Sequence, residues 1–134
     1  MSPAAISERP DDGILDRLKL ISGRRIEDER RRKRLTQRQF AKRAGISVRW
    51  LREVEAGNPV VKMDDHLRCA DALHMAPTYI FLPLLYRSYD CACPINCAVD
   101  NLTDIEERYL AMINRRVAVR KARASQGGVR LARA

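Results

Sequence analysis

Between Leu35 and Gly57 the chain reads LTQRQFAKRAGISVRWLREVEAG, and few folds accommodate such a stretch. Thr36 has the side chain of a helix N-cap, whose hydroxyl accepts from free amides in the first turn. Phe40, Ala41 and Ala44 then recur at helical spacing. Gly45 enters the left-handed region at little cost, ends that helix and reverses the chain. Ser47 is placed to cap a second helix. On it Leu51 and Val54 point one way, while Val48, Arg49, Arg52 and Glu53 point elsewhere. A ridge fit for burial behind a polar, cationic face is what a helix in a DNA major groove requires.

The 134 residues suffice for one globular domain with an appended element, not for two full domains. Lys and Arg number 26 against 17 Asp and Glu, a net charge of +9. That balance favours a polyanionic partner, because each cation set on a phosphate releases a counterion. The first residues lack the cationic and apolar runs of a secretory signal. The most apolar segment, 75–86, is too short to span a bilayer and contains Pro77 and Pro83. The expectation is a cytoplasmic protein with no membrane partner and with reduced thiols.

Residues 1–13 carry Pro3, Pro10, Asp11, Asp12 and Gly13 with little to bury, so they read as a flexible N-terminal arm. Ile14, Leu15, Leu18 and Ile21 suit a short helix, which Ser22 and Gly23 punctuate. A second helix over 24–34 has a dense basic face. After the central motif, Asn58 and Pro59 form a loop and 63–74 reads as a helix. Pro77 starts another short helix, ended by Pro83. A last helix begins near Thr103 and runs to about Ala122, with Ile105, Tyr109, Met112, Ile113 and Val117 as its apolar stripe. No strand and no internal repeat is evident. The predicted fold class is all-α: a five-helix DNA-binding domain over 14–82 with a C-terminal helical extension over 83–122. The extension holds a Cys-rich segment and an amphipathic helix suited to dimerisation or sensing. Residues 123–134 read as a basic flexible tail.

Residues 23 to about 82 resemble the phage-repressor-like helix-turn-helix family, also called the xenobiotic-response-element family. GRRIEDERRRKRLTQRQFAKRAGIS is similar to its usual opening, and VRWLREVEAG to its recognition helix and the Glu-x-Gly that follows. The resemblance implies that Gln37 contacts a phosphate and buttresses the recognition helix. It places Val48, Arg49, Arg52 and Glu53 where base edges are read. Arg49 can pair bidentately with guanine, and Val48 can touch a thymine methyl. Glu53 can accept from cytosine or orient Arg49. Ser47, Trp50 and Asn58 complete the expected contact set. Trp50 is either a phosphate donor through its indole N–H or a packing residue. The Gly57–Asn58 loop offers backbone amides to phosphate. Arg30 and Glu55 match an ion pair that ties the first helix to the end of the third. The chain departs from the family at Ala44, where a larger aliphatic residue is usual, and after about Pro83.

Cys91, Cys93 and Cys97 give the spacing C-x-C-x3-C, with Cys69 distant in sequence. Three thiols in seven residues can converge on zinc or an iron–sulfur cluster, provided that Cys69, His66, His74 or Asp90 completes the set. A thiol switch is a second reading, and three ordinary packed thiols a third.

These observations together predict a sequence-specific regulator on double-stranded DNA. A homodimer on a palindromic operator, acting by repression, fits the family best. The dimer contact would use 79–86, the stripe from Ile105 to Val117, or both, the alternative being that the stripe closes intramolecularly on the domain. The alternatives are an antitoxin or anti-activator with a protein partner on its C-terminal segment, and a metal- or redox-responsive regulator. No Ser–His–Asp set, glycine-rich phosphate loop or H-E-x-x-H pattern points to an enzyme.

Overall fold

The computed structural model describes residues 13–93 and 102–133. All of its regular elements among these residues are α-helices. The chain divides into two units, Met1–Asp100 and Asn101–Ala134. The first holds α1 (Ile14–Arg32), α2 (Gln37–Ala44), α3 (Val48–Ala56), α4 (Met63–Ala72) and α5 (Thr78–Ser88). The second holds α6 (Thr103–Arg133).

The break expected at Ser22 and Gly23 is absent, and α1 is one helix of 19 residues. Both residues are buried for tertiary reasons. A Cβ on Gly23 would lie 2.4 Å from the carbonyl oxygen of Val54 and 2.7 Å from that of Glu55. Glycine therefore lets α1 approach the last turn of α3 backbone to backbone. Gly57 does the same from the other side, since a Cβ there would lie 2.6 Å from Cα of Leu20. Exposed pairs along α1, Glu27 with Arg31 and Glu29 with Arg32, add the modest support of their helical spacing. The Arg32 guanidinium beside Glu29 holds that carboxyl below its usual range.

All five helices of the first unit end in the same hydrogen-bond pattern, in which the chain turns back through a left-handed residue. The backbone N–H of Leu35 donates to Arg30, Ile46 to Ala41, Asn58 to Glu53, Met75 to Ala70 and Cys91 to Tyr86. Gly45 and Gly57 supply the left-handed residue at two of these ends. Arg34, His74 and Asp90 supply it at the others, with φ of 56°, 53° and 53°.

The core is formed by Ile26, Phe40, Ala41, Ala44, Leu51, Val54, Val61, Cys69 and Leu73, drawn from α1 to α4, with Val61 from the connection before α4 and Leu73 the residue that caps it. A polar chain is buried as well. His66 Nδ1 lies 2.7 Å from Ser22 Oγ, which lies 3.3 Å from the hydroxyl of Tyr79. Burial is the main cause that pushes the His66 imidazole down to about 4, with nearby Lys19 adding to it. Burial also raises the Tyr79 phenol.

Pro83 was expected to end α5, yet the helix runs on to Ser88 with Pro83 inside it. A proline forfeits the bond its N–H would make one turn back and crowds that carbonyl. Anchoring of the helix in the core by buried Tyr79 and Ile80 outweighs this cost here. Tyr79 and Ile80 are thereby removed from the dimer segment expected at 79–86, where Phe81 and Leu85 stay exposed.

In the second unit, α6 spans 31 residues and does not stop near Ala122. The segment expected as a flexible tail is helical through Arg133. No helix among the described residues is long and apolar enough to cross a membrane.

Candidate DNA-binding surface

Helices α2 and α3 are built from local signals. Thr36 Oγ1 accepts from the Gln39 amide at 3.1 Å, and Gln39 Oε1 accepts from the Thr36 amide at 2.9 Å, so both ends of a capping box are made. Gly45, at φ 73°, closes α2 and starts the turn. Ser47 Oγ accepts from the Trp50 amide at 3.0 Å and starts α3. Leu51 and Val54 point into the core.

A polar network then fixes α3 against its neighbours. Arg30 Nε donates to Glu55 Oε1 at 2.6 Å, and its Nη2 donates to Oε2 at 3.3 Å. The third arm of the guanidinium, Nη1, donates to the carbonyl of Leu35 at 2.8 Å. Both side chains are almost wholly buried, at 8% and 4% exposure. A buried charge pair is tolerable only where further hydrogen bonds occupy its remaining sites. Gln37 meets that condition by donating from Nε2 to Glu55 Oε2 at 3.0 Å. Its Oε1 in turn accepts from Arg52 Nε at 3.2 Å. One continuous chain of bonds thus runs from buried Arg30 through Glu55 and Gln37 to exposed Arg52, linking α1, α2 and α3.

The outer face of α3 carries Arg49 and Arg52, both exposed, with Val48 half-buried at its start. No ion pair or hydrogen bond among the described residues engages the Arg49 guanidinium. Glu53 does not orient Arg49. Its carboxylate accepts from Asn58 Nδ2 at 2.6 Å, and Asn58 Oδ1 accepts from the Val60 amide at 3.0 Å. The amides of Gly57 and Asn58, expected to face phosphate, donate instead to Val54 and Glu53 at 3.0 and 3.1 Å. They close α3. Trp50 is a packing residue of the core margin. The indole N–H that was a candidate phosphate donor is held by Asp65 Oδ2 on α4 at 2.8 Å.

Two features escaped the sequence reading. Asp65 reads only as an acidic residue near the start of α4, and its bond to Trp50 has no local signal. Arg38 lies beside Gln37 in the first turn of α2 and is exposed, so its place next to a residue that the resemblance assigns to phosphate is the available clue.

Cys69 lies in the core and is fully buried. Burial pushes its thiol up to about 12, which keeps it protonated and favours packing over ligation. Cys91 and Cys93 are half-buried, and Cys97 lies outside the described residues. Among the described residues no group of three His, Cys, Asp or Glu side chains could hold a metal ion.

Comparison with known families agrees with this geometry. The model of a helix-turn-helix domain family matches residues 23–78, which run from the buried Gly23 to the start of α5. Nothing matches among curated proteins or among solved structures. Residues 23–78 are a helix-turn-helix domain, consistent with the repressor-like regulators that the sequence resembles. Such a domain suggests a DNA-binding regulator.

Proposed function

We propose that this protein is a sequence-specific transcriptional regulator that binds a palindromic operator as a homodimer and acts as a repressor. The observation that carries the reading is the bonded chain from Arg30 to Arg52. It orients α3 so that Arg49 and Arg52 lie on one exposed face above a rigid support. Preorganised donors of this kind suit base edges, because arginine pairs bidentately with guanine O6 and N7. Ser47 and Gln37, at the starts of the two motif helices, and neighbouring Arg38 are suited to the phosphate backbone. The net charge of +9 supplies the long-range attraction.

A single α3 reads too few base pairs for useful genomic specificity. Two copies on half-sites roughly one helical turn apart supply the remainder. A dimer seated on promoter DNA excludes polymerase, and repression follows from that occupancy.

Operator selection from random duplex DNA with the full chain is the test. The reading expects a twofold-symmetric site. Arg49→Ala should weaken binding to it by about 1–3 kcal/mol and relax one base position. Recovery of no preferred sequence would reject specific recognition.

A further inference from the structure

The second unit exposes what the first unit buries. Along α6, Ile105, Tyr109, Met112, Ile113 and Val117 are 39–60% exposed, and they recur at helical spacing. The stripe is bounded by charge of opposite sign at its two ends. Asp104, Glu106 and Glu107 lie at the N-terminal end beside one cation, Arg108, and no Asp or Glu follows them. Arg115, Arg116, Arg120, Lys121 and Arg123 lie beyond the middle.

We propose that the apolar face of α6 docks against α6 of a second copy of this chain, with the two helices antiparallel and crossing near Ile113. The inference deepens the dimer of the proposed function and rests on that reading. Two spacings select the orientation. Glu106 and Arg120 each lie seven residues from Ile113, on opposite sides of it. Seven residues is close to two turns, so all three share a face, and each charge stands about 10 Å from the crossing point. A twofold axis through Ile113 then sets Glu106 of each copy opposite Arg120 of the other, and Tyr109 near Val117. The contact is isologous, as a closed dimer requires. A parallel pair in register would instead oppose Glu106 to Glu106 and Arg120 to Arg120. The apolar run from Ile105 to Val117 is short, about 18 Å. A contact of that length belongs with the smaller interfaces, and a twofold operator would reinforce it.

The test is the dimer dissociation constant of the full chain without DNA, by sedimentation, with helix content checked by circular dichroism. Glu106→Arg and Arg120→Glu should each weaken the dimer about tenfold, because each creates two like-charge contacts. The double variant should return to the wild-type value, and so should an equimolar mixture of the two single variants. Ile113→Asp should leave a monomer. A dimer that persists unchanged in Ile113→Asp overturns the α6 contact while leaving the dimer reading intact. Loss in Ile113→Asp with no effect of either charge reversal overturns the antiparallel arrangement. A wild-type chain that stays monomeric and occupies one half-site on DNA overturns the dimer reading itself.

Discussion

The two units depart from ordinary burial in opposite directions. The first places Arg30, Glu55, His66 and Ser22 inside, where charged and polar groups are rarely found. The second leaves a row of Ile, Tyr, Met and Val side chains in water. The Arg30–Glu55 charge pair of the first unit is matched by hydrogen bonds from its own residues, whereas His66 Nε2 is buried without a hydrogen-bond partner among the described residues. The apolar face of the second has no such match within its single helix. The first unit thus fixes one exposed cationic face on a buried network of its own residues. The second is a surface whose energy is realised only when something covers it.

Breaking the internal match should have the largest effect. Glu55→Ala leaves Arg30 buried without its carboxylate and releases Gln37. Unfolding free energy of the first unit should fall by about 3–5 kcal/mol, measured by denaturant titration. A loss below 1 kcal/mol would mean that water already satisfies the Arg30 site.

His66 gives a smaller, pH-dependent effect. Its folded pKa of about 4 lies below the ordinary 6.5, so the unfolded chain binds the extra proton first. Stability contributed by neutral His66 is present above about pH 6.5 and is lost as pH falls toward 4. The full loss is on the order of 3 kcal/mol. Urea midpoints between pH 7 and 4.5 should fall accordingly in the wild-type chain. In His66→Gln that slope should be largely absent. An equal slope in both would assign the pH dependence to carboxylates.

The smallest effect tests the helix ends. His74 is exposed and left-handed at φ 53°, where a side chain is strained and glycine is not. His74→Gly should stabilise the first unit by about 1 kcal/mol, read as a higher melting temperature.

What the sequence discloses follows the range of the forces involved. The all-helical class and the helix-turn-helix were legible because their signals are local: Thr36 and Ser47 cap, Gly45 turns, and Phe40, Leu51 and Val54 mark the buried face. Ser22 and Gly23 misled for the same reason. A Ser–Gly pair reads locally as a turn, whereas here glycine gives room to α3 and serine bonds to α4 and α5. Pro83 misled because anchoring of α5 by its neighbours is a tertiary effect. The outer face of α3 was legible as a pattern of residue types. The engagement of Trp50 by Asp65 and of Glu53 by Asn58 was not, since a donor's partner depends on packing in three dimensions.

The most direct test of the central claim compares wild type and Arg49→Ala on the selected operator and on an unrelated duplex of equal length, over a range of salt. Arg49 as a base reader predicts a loss of about 1–3 kcal/mol on the operator alone, with the salt slope unchanged. An equal loss on both duplexes, with a shallower salt slope, would make Arg49 a phosphate contact and contradict sequence reading by α3 at that position.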